Sequence, residues 1–216
     1  MPAIASSASR GTHPVVLRTA TEQDQRAISR LLAAAFADKL VPVIGSAGAA
    51  IRLFEEAWRT ELGRREQVIL AEKGGELAGA IVLRKPDSPT PRDDRAIWRA
   101  LRRHTPWWRL PLVLLALTLL DGDLGADQVY VDALAVAPPY RGHGIGGDLL
   151  HSAVEWARRQ MVNEISLDVS VHNPGAQRLY ERNGFCVRAT RYSLLMRLLV
   201  GHLGFRHMSR VLRDER

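Results

Sequence analysis

The chain has 216 residues, enough for one domain with an insertion and for a sizeable apolar core. Its formal charge of +7 and isoelectric point near 10.3 favour an anionic partner. The arginines are dispersed, which argues against a nucleic-acid surface. The single cysteine, Cys186, excludes an intrachain disulfide and any multi-cysteine metal site.

Met1 to His13 is small and polar, lacks the apolar stretch of a signal peptide, and reads as a disordered tail (1–13) before a single domain (14–216). Val15 to Arg18 forms a first strand. Thr21 and Asp24 make a capping box ahead of a helical stripe of Ile28, Leu31, Leu32 and Phe36. Gly45 and Gly48 interrupt, and a second helix over Ala49 to Gly63 buries Ile51, Phe54, Trp58 and Leu62. Val68 to Ala71 and Leu77 to Leu83 are strands around Gly74-Gly75, a pair suited to the positive φ of a tight hairpin.

Asp87 to Gly125 reads as a mostly helical insertion. Ile97, Trp98 and Leu101 mark one amphipathic helix, then Trp107 and Trp108 lead into an apolar run, Leu110 to Leu120. That run is short of the roughly 20 residues a membrane span needs, so a cytoplasmic location is expected. Its tryptophans suit an acceptor pocket, a core patch or a homodimer contact, and the sequence leaves these open. Resting on a membrane surface is a further option, which the sparse basic flanks disfavour.

Gln128 to Ala137 is the central strand. Val129, Val131, Ala133 and Ala135 share one parity, yet Leu134 and Val136 fall on the other, with Gln128, Tyr130 and Asp132. Either a bulge near Ala133 re-phases the strand or its end is buried on both faces. The loop after it carries Arg141, Gly142, Gly144, Gly146 and Gly147 and opens a helix over Asp148 to Gln160. Unpaired first-turn amides and the macrodipole make such a helix start an anion site. Ile165 to Val169 is a strand. Asn173-Pro174 starts a helix that stops at Asn183-Gly184. Phe185 to Val187 begins another strand, with Cys186 as interior packing. Ser193 to Leu203 is a helix or an excursion, and Phe205 to Leu212 closes the sheet.

Arg141-Gly142-His143-Gly144-Ile145-Gly146 after a strand, and HNPGAQRLYERNGF from His172 to Phe185, together resemble the GNAT superfamily of N-acetyltransferases. The resemblance implies an α/β (α+β) fold: a mixed, mostly antiparallel sheet, splayed at its central strands and flanked by helices. The helical insertion before the central strand is outside the common pattern. It also implies acetyl-CoA as co-substrate, with no metal. The pyrophosphate would lie on backbone N–H groups from Gly142 to Gly147, including His143 and Ile145, and on Arg141. The pantetheine arm would run along Leu134, Ala135 and Val136, with a backbone N–H near Leu134 facing the oxyanion. Asn173 would cap its helix and touch the cofactor, and Tyr180 would be the acid for the leaving thiolate. Many members of the family carry a glutamate on the central strand. Here Gln128 and Tyr130 stand in that area, and Asp132 is the nearest acid, as general base or as a solvated carboxylate.

The function so implied is acetyl transfer to a primary amine of a small molecule or peptide. A non-catalytic acyl-CoA-binding regulatory module is the alternative. Gly142, Gly144 and Gly147, with Asp168 downstream, also match a dinucleotide fingerprint. Four loop residues between strand and first glycine, and too little chain for further βα units, argue against it.

Overall fold

The computed structural model describes residues 14–59, 66–85, 95–111, 113, 127–192 and 204–212. In chain order its elements are β1 (Val15–Thr19), α1 (Gln25–Ala35), α2 (Ala37–Ile44), α3 (Ala47–Arg59), β2 (Glu66–Lys73), β3 (Glu76–Arg84) and α4 (Arg95–His104). Then come β4 (Gln128–Val136), α5 (Ile145–Arg159), β5 (Glu164–Ser170), α6 (Pro174–Arg182), β6 (Cys186–Tyr192) and β7 (Gly204–Val211). The strands form one seven-stranded sheet in the order β1-β2-β3-β4-β5-β7-β6. The β4–β5 pair is parallel and the other pairs are antiparallel. This is the mixed, splayed α/β sheet that the sequence implied.

Local chemistry sets the N-terminal half. Thr21 and Asp24 close a capping box on a short 3-10 turn before α1. Both Asp24 oxygens also accept from Arg18 at 2.7 Å, and Arg18 reaches Glu72 on β2 at 2.5 Å. The guanidinium holds the Asp24 carboxyl well below the usual carboxylate range, so the Arg18–Asp24 link between β1 and the helix start weakens only in strong acid. Gly74 and Gly75, at φ 61° and 81°, make the β2–β3 turn. One face of the sheet packs on α5 through residues such as Ile81, Val129, Leu149, Ile165 and Met208. The other packs on α1 through Ile28, Leu32, Val68, Leu70 and Val82.

The parity break in β4 is a bulge. Val131 pairs with Leu83 and Ala133 with Val82, which leaves Asp132 as the extra residue. Val129 and Val131 before it, and Leu134 and Val136 after it, all face the α5 core, while Ala133 and Ala135 face α1. Pairing of β4 with β5 runs only from Gln128↔Glu164 to Val131↔Leu167. Beyond that rung the two strands part.

Three readings need correction. A separate helix, α2, with Pro42 inside it, fills what was read as an interruption; Gly45, at φ 110°, ends it. Gly48 lies within α3 rather than breaking the chain. Cys186 is exposed, not interior, because β6 is the outermost strand and each of its residues is exposed. The N-terminal tail, the second helix beyond Arg59, most of the apolar run after Leu110 and the segment Ser193 to Leu203 lie outside the described residues. The insertion contributes α4 and a short turn at Trp107–Arg109, with Trp107 and Trp108 exposed. No helix among the described residues is long and apolar enough to cross a membrane.

Gly79 on β3 lies close under α5. A Cβ there would meet Ala135 O and Leu149 Cδ1 at 3.0 Å each. With β3 held between β2 and β4, Gly79→Val is expected to destabilise the fold by about 1–3 kcal/mol through overpacking. A lower urea midpoint at unchanged slope is the readout.

Candidate active site

Where β4 and β5 part, a cavity of about 900 Å³ opens. Its wall combines the end of β4, the glycine loop, the start of α5, Ser170 at the end of β5, and α6. Leu134, Ala135, Val136, Arg141, Gly142, Gly144, Ile145, Gly146, Gly147, Asn173 and Tyr180 all line it. The residues singled out in the sequence thus converge on one space, except His143 and Asp132.

The glycines have separate uses. Gly142 and Gly144 sit at φ 78° and 85°, a conformation L side chains rarely adopt. The Gly144 carbonyl accepts from the amides of Gly147 at 2.8 Å and Asp148 at 3.1 Å. The earlier amides of α5, on Ile145 and Gly146, come before any helical carbonyl they can reach. At Gly146 a Cβ would lie 3.0 Å from Leu179 Cδ2, so glycine lets α5 and α6 approach. Arg141 Nε donates to Val136 O at 3.0 Å, which ties its guanidinium to the end of β4. His143 Nδ1 lies 2.9 Å from Arg141 O and so braces the loop from outside the cavity.

On α6, Asn173 Oδ1 accepts from the Ala176 amide at 3.0 Å, the N-cap the sequence specified. Tyr180 follows two helical turns later. Its ring is buried against Phe185, with centroids 6.0 Å apart. Burial pushes its phenol up to about 12, so it stays a neutral donor through the physiological range.

Asp132 departs from its expected place. It sits in the bulge, with Oδ1 3.1 Å from Arg84 Nη2, and Arg84 is itself buried. Arg84 also lies over the Tyr130 ring, 5.0 Å from its centroid. Asp168, the acid of the dinucleotide match, bonds to protein instead: Tyr130 Oη donates to Oδ2 at 2.8 Å. The sequence reading missed Ala35, Phe36 and Asp38, which bring the α1–α2 junction to the cavity. The helix α2 that makes this junction was itself not foreseen.

Comparison with known proteins agrees with the geometry. The model of the acetyltransferase (GNAT) family matches residues 38–185. Yeast (Saccharomyces cerevisiae) N-alpha-acetyltransferase 30 is 43% identical over 56 residues, 26% of this chain and 32% of that protein. The chain thus spans about a third of that relative's length. A crystal structure of an acetyltransferase superposes with a TM-score of 0.66 at 25% identity, covering 92% of this chain and 100% of the other. The N-acetyltransferase paia from Thermoplasma acidophilum, solved with coenzyme A, superposes with a TM-score of 0.57 at 16% identity, over 92% and 99%; at that identity the likeness concerns the fold. With its family model covering the central strand, the glycine loop and α6, this chain belongs to the GNAT family of acetyltransferases.

Proposed function

We propose that the protein transfers the acetyl group of acetyl-CoA to a primary amine of a small molecule or peptide, by direct attack of the amine on the thioester. One observation carries this reading: a single cavity joins an open helix N-terminus, the unpaired stretch of β4 and a buried neutral phenol. The residues fit the co-substrate. Amides of the glycine loop and Arg141 suit a pyrophosphate, and the space beside Gly142 and Gly144 is open. Backbone groups of Leu134 to Val136, beyond the last rung with β5, suit the amides of a pantetheine arm. A preorganised N–H near Leu134 would face the developing oxyanion; one such donor contributes about 3 kcal/mol in other enzymes.

Tyr180 would act on the leaving group. A thiol of ordinary pKa, about 8.5, is a stronger acid than a phenol at about 12. Tyr180 would therefore stabilise the departing thiolate by hydrogen bonding rather than by full ionisation. The name of the yeast relative refers to N-terminal amines, which puts peptide α-amines first among acceptors to try. The pairing of Asp132 with Arg84 favours the second reading, a non-catalytic acyl-CoA-binding module, since it takes away the nearest base on β4. Thiol release from acetyl-CoA in the presence of amines separates the two: binding without release with any amine supports the module.

Coenzyme A at about 100 times its Kd should stabilise the protein by about 2.7 kcal/mol, read as a Tm rise of several degrees. An unmoved melting curve at millimolar coenzyme A would overturn the reading. In Gly144→Val the added side chain meets open space, so the cost is backbone strain at φ +85°, about 1–3 kcal/mol. The expected outcome is retained far-UV circular dichroism with the coenzyme A shift lost. Tyr180→Phe should lower kcat by about 10- to 100-fold while the coenzyme A Kd changes by less than about twofold, since a hydrogen bond made mainly in the transition state is removed. Wild-type turnover in this variant would exclude Tyr180 from the chemistry.

A further inference from the structure

Two neighbouring tryptophans face solvent. Trp107 and Trp108, on the short turn after α4, are 81% and 60% exposed, whereas Trp156 in the core is buried. Tryptophan is highly buried on average, so an adjacent exposed pair marks a contact surface. Pro106 and Pro111, on either side, are exposed as well. The helix that leads to them is basic. Arg99, Arg102 and Arg103 lie at i, i+3 and i+4, on one side of α4, and all three are exposed, while Ala100 and Leu101 on its other side are buried. Arg103 and His104 meet Glu56 on α3, at 2.9 and 2.7 Å, which fixes how α4 sits on the domain. The Cα atoms of Arg103 and Trp107 are within about 14 Å of each other, the reach of the chain between them. In the sequence the basic flanks of this segment are sparse; winding into α4 concentrates them on one side.

Charge and ring chemistry together name the partner. From Arg95 to Leu120 the chain has no aspartate or glutamate. Cations in a last helical turn complement the macrodipole, which accounts for Arg102 and Arg103 but not for Arg99 a turn earlier, nor for two indoles in water. Indole rings settle at the level of lipid headgroups, and arginines beside them attract anionic lipid. An apolar stretch, Leu110 to Leu120, follows the tryptophans at once in the sequence and is shorter than a span. Single-stranded nucleic acid also uses cations and aromatic rings, but it tracks a basic groove, and none of these side chains borders the cavity described above. We propose that the Trp107–Trp108 turn and the basic side of α4 dock the protein on a bilayer surface rich in anionic phospholipid. The two indoles lie among the headgroups, and Arg99, Arg102 and Arg103 face lipid phosphates. The inference is independent of the transferase reading, since it uses no residue of the candidate active site.

Co-sedimentation of the full chain with vesicles tests the docking. Vesicles of phosphatidylcholine alone are compared with vesicles carrying about 30% phosphatidylglycerol. The wild type should bind the anionic vesicles at least tenfold more tightly than the neutral ones, and about tenfold more weakly at about 0.5 M than at about 0.1 M NaCl. Trp107→Ala with Trp108→Ala, and separately Arg99→Glu with Arg102→Glu, should each weaken binding by about tenfold or more at an unchanged urea midpoint. Arg178→Glu with Arg191→Glu, an equal change of charge on α6 and β6, should bind like the wild type. Equal loss in this control would mean that net charge alone drives binding, and overturns the proposal. So does wild-type binding that ignores lipid charge, or that survives the tryptophan substitutions. Tighter binding to a single-stranded oligonucleotide than to vesicles, or a dimer without vesicles that the tryptophan substitutions dissolve, assigns the surface to another partner and overturns it too. Should the tryptophan variant fail to fold, the Arg99–Arg102 variant and its control carry the same contrast.

Discussion

The architecture turns on one extra residue. Asp132 inserts into β4, re-phases the strand, and is held there by the buried guanidinium of Arg84. A buried guanidinium without a partner would be strongly unfavourable, and removing either member of such a pair typically destabilises by about 3–5 kcal/mol. The ion pair therefore does more to fix the position of the bulge than to add net stability. A bulge bends its strand and increases the local twist. Here it comes directly after the last β4–β5 rung, so one side of residues 132–136 has no strand beside it while β3 still pairs the other. A strand paired on one side only offers a row of backbone donors and acceptors to any extended, amide-bearing molecule laid in the gap.

The same parting opens the start of α5. The loop leaves β4 at Ala137, whose amide is bonded to Ala78 O at 2.9 Å, and reaches Gly144 through two left-handed glycines. Turning the chain so tightly brings the start of α5 and the end of β4 to one cavity. α6 closes the other wall, and it approaches because Gly146 has no side chain to hold Leu179 off. Strand, loop and two helices thus share a single geometric solution, and a Cβ or a β-branched residue at few positions is enough to spoil it.

Much of this was legible in the sequence because local chemistry forces it. The Gly74-Gly75 hairpin, the Thr21–Asp24 box, the Asn173 cap and the loop glycines each satisfy a backbone demand with residues close in the chain. The β4 parity break was visible too, although the sequence alone did not decide between a bulge and burial on both faces. The misses are non-local. Nothing in the residues around Cys186 says that its strand ends up at the sheet edge, which depends on β7 pairing between β5 and β6. Pro42 masked α2, because a proline inside a helix is disfavoured by local rules and is tolerated here in a helix of eight residues. Asp132 was open between general base and solvated carboxylate because Arg84, its partner, is 48 residues away and its burial could not be read. Asp168 was weighed only against a ribose, because its two partners lie on different strands, one of them near the C-terminus.

The two faces of the sheet differ in chemistry. The α5 face supplies apolar packing and the open helix start, while the α1 face beside β5 is polar, with Gln128, Ser166, Asp168 and His207 following one another across three strands. Polar groups this buried persist only when bonded, and Ser166 to Gln128 at 3.2 Å and Asp168 to its two partners meet that condition. The sheet would normally seal one face from the other. Its parting beyond Val131 and Leu167 opens the cavity, whose wall reaches from Phe36 and Asp38 on the α1–α2 side to the end of β4 and the start of α5.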